Sequence, residues 1–149
     1  MTLPIAICAN IEKTYPSGFH LSVKKFEPKL SSTTAILGKN GSGKSTFINI
    51  LTGNLEAQSG QVLYEEKLMT LSAYKLKRET GYLPQKPELP PWTIGRDLLE
   101  YVCNLHKIKN SDKHIKKTAA YWQCTEILNK PVATYSIGMK KTLCLCIAT

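Results

Sequence analysis

The chain has 149 residues, 42% of them hydrophobic and 21% charged, enough for one ordinary domain with a core and too apolar for a disordered segment. No apolar run reaches the roughly 18 residues that a membrane-spanning helix needs, and Met1-Thr2-Leu3-Pro4 carries no basic region of the kind that opens a secretory signal. Lysine and arginine outnumber acids by 20 to 11, a formal charge of +9; because the basic residues are scattered, a solvated surface is the simpler reading, with a polyanionic ligand, nucleic acid or an anionic membrane as alternatives.

In chain order, Ile5-Ala6-Ile7-Cys8 and the alternating Phe19, Leu21, Val23 and Phe26 read as two strands joined by the turn cluster Tyr15-Pro16-Ser17-Gly18. A second turn over residues 27–32 precedes a short apolar strand, Thr34-Ala35-Ile36-Leu37, which runs straight into glycines. Phe47, Ile48, Ile50 and Leu51 suit a helix from Lys44, with Gly53 where it ends. Gln61-Val62-Leu63-Tyr64 and Gly81-Tyr82-Leu83 read as further strands, and the four prolines of residues 84–91 force a loop. Helical patterns follow over residues 94–105 and 111–123, the second with Ser111 as the expected N-cap. After Ser136, Met139, Leu143 and Ile147 recur at helical spacing, although residues 143–147 alone could also be a strand. The five cysteines include no C-x-x-C pair and the three histidines stand at no ligand-like spacing to them, so reduced buried thiols are expected rather than a zinc site.

Gly38-Lys39-Asn40-Gly41-Ser42-Gly43-Lys44-Ser45 fits G-x-x-x-x-G-K-[ST] between an expected strand and an expected helix, the setting in which this pattern cradles phosphate. Glycines let the backbone curl so that successive N–H groups converge on an anion, and the helix N-terminus adds positive potential. Lys44 can reach the β- and γ-phosphates, the Ser45 hydroxyl can ligate Mg²⁺, and Thr46 is expected at the α-phosphate. ATP with Mg²⁺ is therefore the expected ligand.

Around this loop the chain resembles the ATP-binding subunit of an ABC transporter. Tyr15 stands ahead of the loop where that family carries an adenine-stacking aromatic. Leu51-Thr52-Gly53 and Ser59-Gly60-Gln61-Val62 resemble the family's continuation, and Gly81-Tyr82-Leu83-Pro84-Gln85 its Q-loop, where the resemblance makes Gln85 a sensor of the γ-phosphate through Mg²⁺ or water. Tyr135-Ser136-Ile137-Gly138-Met139-Lys140 is similar to the signature motif, with Ile137 and Met139 replacing its first glycine and its glutamine. There Ser136 would cap a helix whose N-terminus, with the Gly138 amide, faces ATP held by a second subunit.

The resemblance implies an α/β fold, the P-loop NTPase fold of the ABC type, with an antiparallel β part and phosphate-loop core over about residues 1–85. The Q-loop and a helical subdomain with the signature would occupy about residues 86–149. It also implies a transmembrane transporter subunit and a second ATP-binding subunit as partners, and a cytoplasmic, peripheral location on the inner face of the membrane. Nucleic acid is disfavoured: ABC proteins of translation carry two cassettes and an arginine-bearing signature. The family's Asp-Glu pair and switch histidine are not matched within these residues, so the 149-residue chain is expected to be C-terminally incomplete and inactive in hydrolysis. A regulatory ATP-binding remnant is the alternative. The missing strands would lie between residues 34–37 and 81–83, leaving a gap in the parallel sheet and an expectation of repacking or self-association.

Overall fold

A computed structural model of the protein describes residues 7–29, 31–64, 67–68 and 80–149. Contacts divide the chain into two compact units, Met1–Glu79 and Thr80–Thr149.

The first unit is built on a four-stranded antiparallel sheet. Its strands are β1 (Ile7–Thr14), β2 (His20–Phe26), β3 (Ser59–Tyr64) and β4 (Lys67–Leu68), in the order β2-β1-β3-β4. The β1–β2 hairpin turns through residues 15–18, where the Gly18 N–H donates to the Tyr15 carbonyl and the Tyr15 N–H to the Phe19 carbonyl, each at 2.9 Å. Pairing then proceeds from Thr14↔His20 to Cys8↔Phe26. On its other edge β1 pairs Cys8 with Val62, and the register slips between Ala9 and Glu12.

Cys8, Ile11, Leu21 and Val62 share one buried core; Cys8 and Ile11, three residues apart, both reach it because left-handed Asn10, at φ 52°, interrupts the strand's alternation where the register slips. Helix α1 (Lys44–Leu51) lies on that face through its own buried Phe47 and Ile50, and Phe47 meets Phe26 edge-on at 5.2 Å between ring centroids. The residues that precede α1 are thereby fixed relative to the sheet. α1 closes where the Thr52 N–H donates to the Ile48 carbonyl and the Gly53 N–H to the Ile50 carbonyl.

The second unit is helical: α2 (Gly95–Leu105), α3 (Ser111–Tyr121) and α4 (Ile137–Ala148), with two short 3₁₀ turns at Thr125–Ile127 and Val132–Thr134. Leu99 and Cys103 of α2, Ile115 and Ala119 of α3, and Leu143 and Cys146 of α4 form its core, with Met139 and Ile147 packed against it. The spacing of Met139, Leu143 and Ile147 is therefore that of a helix, and the strand reading of residues 143–147 falls away. All five thiols are free and buried; Cys124 Sγ and Cys146 Sγ lie 3.2 Å apart, and burial pushes Cys146 up to about 12.

Three local expectations are corrected. Asn110, in left-handed backbone at φ 58°, occupies the N-cap position of α3, so Ser111 is the first helical residue instead of the cap. Residues 34–37 and 81–83 are not strands: a strand requires a ladder, and neither segment pairs with another strand among the described residues. Ala35 and Leu37 of the first segment, and Gly81 and Leu83 of the second, are exposed.

Candidate functional site

The phosphate-type loop begins in the exposed residues 37–42 and ends at Gly43, which occupies the N-cap position of α1 in left-handed backbone, φ 89° and ψ 9°. Gly41 is also left-handed, at φ 81°. Side chains with a Cβ rarely adopt these angles, and at Gly43 the space is closed as well. A Cβ on Gly43 would lie 2.8 Å from Phe19 Cζ and 3.0 Å from Leu21 Cδ1. At Gly38 a Cβ would meet Ser42 Oγ at 2.7 Å, whereas at Gly41 nothing stands within 4 Å. The loop is thus walled by β2 beneath Gly43 and open over Gly41.

A turn closes its middle, with the Ser42 N–H donating to the Lys39 carbonyl at 3.2 Å, and the Phe47 N–H donating to the Gly43 carbonyl at 2.8 Å starts α1. Lys44 folds back across the loop. Its ammonium donates to the Gly38 and Lys39 carbonyls, both at 2.7 Å, which holds a cation over the turn. Asn40 and Ser45 are exposed and Thr46 is half-buried.

Tyr15 is half-buried in the β1–β2 turn, 6.0 Å from the Phe19 ring at a 45° tilt. Since Phe19 also abuts Gly43, Tyr15 and the loop belong to one connected surface of the first unit. Phe19 was not singled out for the site by the sequence; its only signal was that it follows Gly18 and opens the alternation continued by Leu21 and Val23.

The remaining candidates lie in the second unit. Gln85 is exposed at a bend. Just before it, Gly81 lies so close to the backbone carbonyl of Ala148 that a Cβ would overlap it, so the start of this loop packs on the last residue of α4. Ser136 caps α4 as expected: the Met139 N–H donates to Ser136 Oγ at 3.2 Å, and the Ser136 N–H donates back to Met139 Sδ at 3.5 Å. A thioether is a weak acceptor, but here it completes a reciprocal cap of the kind Glu or Gln makes. Gly138 is exposed within the first turn.

Tyr135 has a role the sequence did not reveal. It is 6% exposed, its hydroxyl donates to the Ile127 carbonyl, and the same oxygen sits against Gly95 at the start of α2. Burial raises its hydroxyl pKa, so it remains a donor. The segment is held from the other side too: Val132 donates to the Thr93 carbonyl at 2.8 Å and Arg96 to the Leu128 carbonyl at 2.8 Å. Arg96 in turn joins Glu100 and Asp112, and Lys116 reaches Asp112 at 2.7 Å, tying α2 to α3. Among the described residues no group of three or more His, Cys, Asp or Glu could hold a metal, and no helix is long and apolar enough to cross a membrane.

A family model described as "ABC transporter" matches residues 21–149. The chain is 29% identical over 143 residues to the "Uncharacterized ABC transporter ATP-binding protein YdbJ" of Bacillus subtilis, covering 96% of this chain and 46% of that protein. It is 30% identical over 159 residues to "ABC transporter A family member 12" of Arabidopsis thaliana, covering 95% of this chain and 17% of that one. The chain thus spans less than half the length of these relatives. Among solved structures, an ATP-binding subunit of an ABC transporter superposes with a TM-score of 0.85 at 19% identity, covering 97% of this chain and 61% of that one. CbiO1 from Clostridium perfringens, described as part of the ABC transporter complex cbiONQ, superposes with a TM-score of 0.79 at 24% identity, covering 99% and 61%. The fold is that of ABC ATP-binding domains.

Proposed function

Because the chain belongs to the ABC transporter family, an ATPase-type family, we propose that it binds ATP with Mg²⁺ through residues 38–46 and serves as the ATP-binding part of a transporter. The observation that carries this reading is the loop itself: left-handed Gly41 and Gly43 lead into the N-terminus of α1 while the Lys44 ammonium lies over the turn. That combination presents N–H groups, a helix terminus and a cation to one anion. The residues fit the ligand chemically. The backbone from Gly38 through Asn40, Gly41, Ser42 and Gly43 would cradle phosphate oxygens, Lys44 would neutralise them, Thr46 would contact the α-phosphate, and the exposed Ser45 hydroxyl would be a ligand to Mg²⁺. Tyr15 would stack on adenine.

In the same reading Gln85 senses the γ-phosphate and Mg²⁺, and Ser136 with Gly138 addresses ATP held by a second ATP-binding subunit. A transmembrane transporter subunit would hold the protein, as a peripheral component, at the cytoplasmic face. The two parts are a phosphate-loop core to about residue 85 and a helical subdomain beyond it. The 149-residue polypeptide alone is expected to bind ATP without turnover, since no Asp-Glu pair is matched for the water-activating role.

The test is calorimetric titration of the chain with MgATP. Replacing Lys44 with alanine removes a charged donor, worth about 1.5–3 kcal/mol in binding. Affinity unchanged in a Lys44→Ala variant with native circular dichroism would overturn the assignment.

A further inference from the structure

The base-side aromatic and the phosphate-side loop are joined in the first unit by one side chain. Phe19 is half-buried, its ring lies 6.0 Å from Tyr15, and a Cβ on Gly43 would lie only 2.8 Å from its Cζ. The Tyr15 N–H donates to the Phe19 carbonyl at 2.9 Å, so backbone and ring both tie the two residues. Leu21, 8% exposed, backs the same glycine at 3.0 Å. Tyr15 itself sits in a four-residue turn flanked by exposed Pro16, Ser17 and Gly18. Little else in that turn can set its ring.

We propose that Phe19 is a positioning residue for base binding: it fixes the Tyr15 ring relative to the phosphate loop, so that a nucleoside triphosphate is gripped at both ends. This rests on the nucleotide reading above. Gly43 is the indispensable counterpart. Any side chain there would displace Phe19, and any smaller residue at 19 would free Tyr15 while leaving the loop's Lys44 bonds to Gly38 and Lys39 intact. Phosphate recognition and base recognition should therefore separate when Phe19 is cut back.

The experiment titrates the full chain and its Phe19→Ala, Phe19→Leu and Phe19→Tyr variants with ATP, GTP and inorganic tripolyphosphate, each with Mg²⁺. Aromatic pairing energies translate into about a threefold to tenfold loss of ATP and GTP affinity for Phe19→Ala, with tripolyphosphate affinity unchanged. Phe19→Leu keeps apolar bulk against Gly43 but not the ring pair, and should show the same selective loss; Phe19→Tyr should restore it. In a double-mutant cycle, Tyr15→Ala should cost far less once Phe19 is alanine. Equal loss for ATP and tripolyphosphate in Phe19→Leu, or additive effects of the Tyr15 and Phe19 changes, would overturn the proposal. A chain that binds no nucleotide at all, or binds it regardless of Lys44, would instead defeat the nucleotide reading itself.

Discussion

Replacing Gly43 with alanine should destabilise the first unit far more than the same change at Gly18, although both glycines have almost the same backbone. Gly18 stands at φ 85° and Gly43 at φ 89°. Forcing an L-residue into left-handed backbone costs about 1–2 kcal/mol, and both variants incur that. At Gly18 nothing lies within 4 Å of the new methyl group, so the cost stops there. At Gly43 the methyl would lie 2.8 Å from Phe19 Cζ and 3.0 Å from Leu21 Cδ1. Phe19 can yield only by leaving Tyr15, and Leu21 is part of the core, so an overpacking cost of about 1–3 kcal/mol is added. The sum, about 2–5 kcal/mol, is a large share of the roughly 5–15 kcal/mol that stabilises a typical domain.

Both tryptophans, Trp92 and Trp122, belong to the second unit, so their fluorescence would follow the wrong part of the chain. Hydrogen exchange of peptides from β1, β2 and α1 is the appropriate measurement, because it reads the opening free energy of those elements directly. Protection there should fall by an additional about tenfold to hundredfold in Gly43→Ala relative to Gly18→Ala, which converts to the about 1–3 kcal/mol of overpacking. Equal protection in the two variants would show that Phe19 and Leu21 give way freely and that Gly43 is required for its backbone alone.

Two further outcomes follow from the second unit. Tyr135→Phe leaves the Ile127 carbonyl without its hydroxyl donor, at about 1–3 kcal/mol, and should lower the unfolding midpoint followed by Trp122 fluorescence; an unchanged midpoint would mean that water replaces the bond. Hydrogen bonds from Lys116 and then Arg96 hold the Asp112 carboxyl below its ordinary range. A depressed carboxyl stabilises the fold above its unfolded pKa of about 3.9, and that contribution is lost as pH falls through the folded value. Stability should therefore drop more steeply below about pH 4 in the parent chain than in Asp112→Asn, and parallel pH profiles would remove Asp112 from the account.

What the sequence disclosed well was what is locally encoded. The glycine pattern of residues 38–45 is legible within the segment itself, and the residues expected to open and occupy the helix that follows do so. Ser136 was recognisable as a cap because the donor it satisfies lies three residues on. The misses are of two kinds. Asn110 displaced Ser111 as N-cap because the turn after α2 takes left-handed backbone there, which no hydrophobic period records. The roles of Phe19 and Tyr135 depend on partners that are distant in sequence, Gly43 in one case and Ile127 with Gly95 in the other. Residues 34–37 and 81–83 have the composition of strands, but strand formation is decided by a neighbour and not by composition.

That last point carries an expectation about solution behaviour, argued for the 149-residue polypeptide as it stands. Residues 34–37 pair with no strand among the described residues, and Leu37 is 90% exposed while its neighbour Ile36 packs on the first core. A segment of strand-like composition that has no strand partner and carries an uncovered leucine is a template for another chain. Burying one such side chain yields about 1.5–3 kcal/mol, and backbone pairing adds to it. The polypeptide should therefore associate as its concentration rises. Leu37→Lys, which places a charge on the segment without touching the core, should suppress this. Solution scattering and sedimentation over a concentration series would read the mass directly. A parent chain that stays monomeric throughout would show that solvation of these peptide groups outweighs what the exposed leucine can gain.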